Sequence, residues 1–189
     1  EILTTCALDY GTWEDHYPPG EDEVAGVRVR RFPVERPRDR TDFDRLSERV
    51  RSRIAEIGTG EAEEWMRLQG PWSPSLLAYL RARRGDYDVF FFFTYLYATT
   101  YFGLPEVEER AFLVPTAHDE WPIYLPIWDR FFGRPRALLF NTPEEEAFLR
   151  RRFPGLPLPG EVTGVGVDPP PRVDPDAFRR RYGIDGPFL

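Results

Sequence analysis

Three observations predict an α/β domain built on a mainly parallel sheet with helices on both faces. The runs Asp88–Thr94, Ala111–Thr116 and Ala137–Asn141 are continuously apolar instead of alternating. That is how strands covered on both faces read. From Ser73 onward, such runs alternate with helical patterns, as in βαβ units. The hydrophobic fraction of 41% and aromatic fraction of 15% are enough for a substantial core.

The elements follow in order. Glu1 to Ala7 is a short strand, and Leu8 to Gly26 a polar, aromatic, Pro-containing loop. Val27 to Val34 is a second strand, which Pro37 helps to end. Phe43, Leu46, Val50, Ile54 and Ile57 recur at helical spacing, so Thr41 to Ile57 is an amphipathic helix with Gly58 at its end. Gly60 to Gln69 is a further helical piece around Trp65 and Met66. Ser73-Pro74 opens a helix to about Arg84, with Ser as N-cap and Pro in the first turn. Thr142-Pro143-Glu144-Glu145 has the capping-box pattern and starts a helix to about Arg152. Glu161 to Val167 is a last strand, and the Pro-rich stretch from Asp168 to Val173 a linker. Asp174-Pro175 starts a short helix that Gly183 ends, and Ile184 to Leu189 begins another element. The expected architecture is Rossmann-like, in one sheet of six strands. The domain spans residues 1–167, followed by a linker, a short helix and the start of a second domain over 168–189.

The formal charge of −7 makes nucleic acid an unsuitable partner. No lysine occurs, so every basic side chain is Arg, whose planar fork suits phosphate. The single cysteine, Cys6, rules out an internal disulfide and reads as a small core residue. No apolar run approaches the roughly 20 residues needed to cross a bilayer. The chain opens and closes inside apparent strands and reads as a piece of a longer protein.

In open α/β sheets, ligands bind beyond the carboxyl ends of the strands. That rule singles out Val114-Pro115-Thr116-Ala117-His118-Asp119-Glu120, where an apolar run stops at one of only two histidines. His118 can donate or accept a proton near neutrality; its structural alternative is to help cap the next helix. Asp119 and Glu120 are candidate substrate contacts. With His118 they would make an incomplete metal site, because zinc needs three or four suitably spaced ligands; no metal is assigned. Thr94 and Tyr95 follow the Phe-rich strand and are candidate substrate contacts, or else cap the next turn. Asn141 and Thr142 stand where a helix N-terminus offers N–H groups to an anion, a role compatible with plain capping. Asp168, a candidate cap or ligand contact, follows Gly164-Val165-Gly166-Val167, which is no dinucleotide fingerprint because it lacks G-x-G-x-x-G followed by a helix. Tyr10, Trp13, His16 and Tyr17 make the early loop aromatic, as ligand platform or as packing.

The order of three segments resembles the N-terminal, acceptor-side domain of the family 4 glycosyltransferases, retaining enzymes of GT-B architecture. They are Val114 to Glu120, Phe140-Asn141-Thr142-Pro143-Glu144-Glu145, and Val165-Gly166-Val167-Asp168. The segment Asp174 to Gly183 fits the same series. The resemblance implies transfer of a hexose from a nucleotide sugar to a sugar or lipid-linked acceptor, with no cofactor. It matches His118 to a histidine that contacts the donor hexose near the reacting centre. Val165 stands where the family has Asn, so no polar contact is carried over there. The resemblance also implies a C-terminal nucleotide-binding domain after Leu189, and a first strand with a Gly-rich loop before Glu1. The sheet should therefore show a gap, a bare edge or a neighbour's strand between the Glu1 and Val89 strands. The expected location is cytoplasmic, with peripheral attachment at the inner membrane face as an extension of that reading. The competing readings are a metal-dependent sugar hydrolase and a non-catalytic, flavodoxin-like binding module.

Overall fold

A computed structural model describes residues 1–169 and 174–187. Two sheets are present among them. The first contains β1 (Ile2–Thr5), β2 (Gly20–Val24) and β3 (Val27–Phe32), in the order β1–β3–β2. β3 runs parallel to β1 and antiparallel to β2. The second contains β4 (Phe90–Phe93), β5 (Ala111–Val114), β6 (Ala137–Phe140) and β7 (Gly160–Val162), all parallel and in sequence order. The helices are α1 (Arg40–Ser52), α2 (Thr59–Gln69), α3 (Pro74–Arg83), α4 (Ala98–Gly103), α5 (Pro143–Arg152) and α6 (Pro175–Tyr182). The four-stranded parallel sheet flanked by helices is the expected α/β arrangement and is compatible with a Rossmann-like fold.

The expected single sheet is split. The break falls between β1 and β4, where the sequence reading placed a missing strand. It also changes β4. Its four phenylalanines were read as covered on both faces, but Phe91 and Phe93 are 55% and 65% exposed. β4 pairs with β5 alone, so one edge of the strand is bare.

The stretch read as a loop over Leu8–Gly26 contains β2. Every β2 residue is exposed, so no hydrophobic alternation marks it. What holds it is a two-residue turn, with Ala25 at φ 51° and Gly26 at φ 78°, which matches the twist of the hairpin. Arg30–Glu21 and Arg31–Asp22 ion pairs, both at 2.6 Å, reinforce the pairing.

α1 starts as its cap dictates: the Asp39 carboxylate accepts from the Asp42 amide at 2.9 Å. It ends at Ser52, earlier than the periodicity through Ile57 implied. The Arg53 amide turns to the Val50 carbonyl and the Glu56 amide to the Arg53 carbonyl, which closes the helix in tight turns. Ile54 and Ile57 still reach the core from these turns, so the apolar spacing outlasts the helix. α2 is tied to α1 by the Trp65 indole, which donates to Ser47 Oγ at 2.9 Å. At α3, Ser73 holds the cap position, but its hydroxyl donates to the Pro33 carbonyl and caps nothing.

No α-helix joins β5 to β6. Pro122 and Pro126 remove the amide donors a longer helix would need, and three single 3₁₀ turns run from Trp121 to Gly133. These turns build the centre of the core. Trp128 is fully buried, its indole donates to the Pro122 carbonyl at 2.7 Å, and its ring packs edge-on to Tyr95 and Tyr101.

β7 stops at Val162, short of the expected Val167. The Thr163 and Gly164 amides both turn to the Phe140 carbonyl, and Gly164 takes φ 73°, which breaks the ladder. The expected linker over 168–173 lies mostly outside the described residues, as does the end of the element expected over 184–189. α6 is capped by Asp174, which accepts from the Asp176 and Ala177 amides, and ends at a left-handed Gly183. Among the described residues, no helix is long and apolar enough to cross a membrane.

Candidate functional site

The carboxyl ends of β4, β5 and β6 stand side by side, and six predicted residues follow them: Thr94, Tyr95, His118, Asp119, Glu120 and Asn141. Beyond β4 and β5 the pairing continues irregularly. The Thr94 amide donates to the Val114 carbonyl and the Tyr95 amide to the Pro115 carbonyl, both at 2.9 Å. Thr94 and Thr116 then adopt left-handed backbone, at φ 67° and 50°. Positive φ on a β-branched residue is strained and persists only where surrounding structure imposes it. The two hydroxyls are 2.9 Å apart, and Thr116 Oγ1 is also 2.7 Å from the Pro115 carbonyl. Thr116 is the donor in both contacts, its single proton shared between Thr94 Oγ1 and the Pro115 carbonyl.

That turn carries His118 into solvent, with its side chain 72% exposed. Its Nε2 is 3.6 Å from Glu120 Oε2, too long for a good hydrogen bond but well within ion-pair range. The other oxygen, Glu120 Oε1, accepts from the Tyr95 hydroxyl at 2.8 Å. Tyr95 is fully buried among Trp128 and Phe132. Burial first, then the Glu120 charge and hydrogen bond, push its phenol far above the ordinary tyrosine range. Tyr95 is therefore a fixed neutral donor. It anchors the carboxylate that faces the histidine, so the exposed imidazole stands beside a half-buried carboxylate held by a buried phenol.

Asp119 points elsewhere: its carboxylate accepts from the Tyr124 hydroxyl at 2.7 Å. Asn141 directly follows β6, and its backbone amide donates to Glu145 Oε2 at 2.7 Å. Thr142 caps α5, its hydroxyl accepting from the Glu145 amide at 3.1 Å. Asp168 is exposed and lies six residues past the end of β7, so it is not the strand-end residue the sequence suggested.

Two contributors escaped the sequence reading. Thr116 was read only as the end of a strand; its strain is a backbone property that composition does not signal. Glu145 was read only as half of a capping box. It reaches past its own helix: Oε1 accepts from the Ala117 amide at 2.6 Å, while Oε2 takes Asn141. This buried carboxylate thus ties the His118 turn to the start of α5. The Thr-x-x-Glu spacing was visible, but the contact to Ala117 is tertiary.

In the early loop, Trp13 has φ 58°, donates to the Gln69 carbonyl at 2.7 Å and meets Tyr97 edge-on. Arg38 stacks on Trp13 and Phe43, and donates to the Leu68, Gln69 and Tyr10 carbonyls. Of the early-loop aromatics only Trp13 is core packing; Tyr10, His16 and Tyr17 are exposed. His16 packs edge-on against Tyr17. Cys6 is buried, and burial pushes its thiol up, as fits a core residue. Among the described residues, no group of three or more His, Cys, Asp or Glu could hold a metal ion.

No family model matches this chain, and no curated protein or solved structure does either.

Proposed function

We propose that this chain is the acceptor-side part of a retaining glycosyltransferase, which moves a hexose from a nucleotide sugar to a sugar or lipid-linked acceptor. One observation carries the reading: an exposed imidazole at the carboxyl end of a parallel strand, beside the half-buried Glu120 that the buried Tyr95 holds. In this reading His118 orients the donor hexose, and Glu120, 3.6 Å from Nε2, sets the position of its ring. Thr94 and Thr116 offer hydroxyls beside it. The departing diphosphate is stabilised mainly by a C-terminal nucleotide-binding domain. The chemistry is electrostatic positioning, in which only interactions stronger in the transition state raise turnover. The protein works in the cytoplasm, at or near the inner membrane face.

The hydrolase reading lacks a ligand set among the described residues. The test is direct. The complete polypeptide is incubated with uridine and guanosine diphosphate hexoses and a panel of sugar and lipid-linked acceptors. Nuclear magnetic resonance then reads the anomeric configuration of any product. Retained configuration is the expected result. Inverted product, or stoichiometric bound zinc with hydrolysis alone, would remove the proposal.

A further inference from the structure

An arginine in the last turn of a helix commonly donates to the last carbonyls or pairs with a carboxylate. Arg152, in the last turn of α5, does neither. Among the described residues, its Nε is the single buried side-chain nitrogen or oxygen without a hydrogen-bond partner. What holds this half-buried cation is aromatic. The centre of its guanidinium lies 4.9 Å from the Tyr124 ring and 4.6 Å from the Phe153 ring. Arg130 is exposed and, among the described residues, also forms no ion pair. The two arginines line one depression of about 330 Å³, together with Asp129, Phe153, Pro154 and Leu156. It lies on the segments that lead into β6 and β7, at the opposite end of the parallel sheet from His118.

We infer that this depression binds the phosphate group of a small organic molecule, held by the guanidinium groups of Arg130 and Arg152.

Charge and shape select that ligand. A half-buried cation without a counter-ion is costly, and here two rings fix it in place before any ligand arrives. A planar guanidinium offers parallel N–H groups to two oxygens at once, and a phosphate monoester presents three, enough for two arginines. Its charge of about −1.5 to −2 near pH 7 matches two guanidinium charges. A carboxylate is the poorer match. Asp129 lines the same depression, yet it pairs with neither arginine and leaves the cations in excess. The depression also exceeds the volume of a bare phosphate. The rest of its wall is Phe153, Pro154 and Leu156, which the organic part of an ester covers and a free ion does not.

Nuclear magnetic resonance of arginine side chains tests this. The Nε–H signal of Arg152 is followed as phenyl phosphate, inorganic phosphate or sodium chloride is added at matched ionic strength. It should move saturably with phenyl phosphate, with an affinity about threefold or more above that for inorganic phosphate, because the ring covers apolar wall. Arg130→Gln removes one guanidinium from an exposed position and leaves the aromatic platform of Arg152 intact. It should weaken phenyl phosphate about tenfold or more, the loss of a charged hydrogen bond. A linear drift equal to that in chloride would overturn the inference, as would wild-type affinity in Arg130→Gln. Equal affinity for the two phosphates would overturn the organic ligand. The titration involves no glycosyl transfer, so its outcome is separate from that of the proposed activity.

Discussion

His118 offers an imidazole to solvent, while Tyr95, which holds the neighbouring Glu120, is buried, and this contrast sets the first prediction. Under the proposed function, His118→Ala should lower kcat/KM at least about tenfold, since losing a hydrogen bond to a charged or polarised group costs about 1.5–3 kcal/mol. Its melting temperature should stay near wild type, because an exposed ring contributes little packing. His16→Ala, which loses only an edge contact with Tyr17, should do much less to turnover. A purely structural His118 gives the reverse: lower melting temperature and normal kinetics. Steady-state kinetics and thermal scans on both variants separate the two, and wild-type turnover by a folded His118→Ala enzyme would sink the assignment. Tyr95→Phe keeps the ring among Trp128 and Phe132 but removes the donor to Glu120. It should cost about 1.5–3 kcal/mol in denaturant unfolding, the range for a hydrogen bond to a charged acceptor. A neutral result would mean that water replaces the hydroxyl and that Glu120 is not held by it.

Between elements, the contact to watch is the one Glu145 makes from α5 to the turn after β5. Its carboxylate satisfies two backbone amides at once, Ala117 and Asn141, and is itself 7% exposed. Glu145→Ala leaves both donors unpaired and should destabilise by about 2–4 kcal/mol, more than the roughly 1 kcal/mol for Thr142→Ala at the cap. The two losses should not add, because the residues share one network. Urea unfolding of the single and double variants measures this, and simple additivity would break the argument. A second link joins α4 to α2, where the Tyr101 hydroxyl donates to Glu63 at 3.2 Å. Burial first, then the Glu63 charge, push the Tyr101 phenol up to about 12. The unfolded phenol titrates near 10. A raised folded value means the contribution is complete below about pH 10 and is lost as pH rises through about 12. Tyr101→Phe should therefore flatten part of the alkaline loss of stability. Tyr95, also raised, keeps the rest. An unchanged alkaline profile in Tyr101→Phe would contradict the shift.

Across the whole molecule, what the sequence revealed was what is local. Continuous apolar runs marked β4, β5 and β6, and the caps at Thr142 and Asp174 fixed two helix starts, because each signal lies within a few residues of its cause. β2 stayed hidden because a wholly exposed strand has no hydrophobic period. The aromatic turns between β5 and β6 carry the core without any periodic pattern. The candidate site was half legible. The strand-end rule found His118 and Glu120, but not the strained Thr116 or the reach of Glu145, which are set by backbone geometry and distant packing. The expected gap in the sheet is present between β1 and β4. The site itself is one wall: an exposed imidazole and two hydroxyls on an open crest. Ligand sites bury most of their ligand between walls, and this crest buries little. Residues 1–189 alone should therefore bind uridine and guanosine diphosphate sugars weakly or not at all. Calorimetric titration is the check. Sub-micromolar affinity for any of these sugars would place the nucleotide site within this chain and remove the need for a second domain.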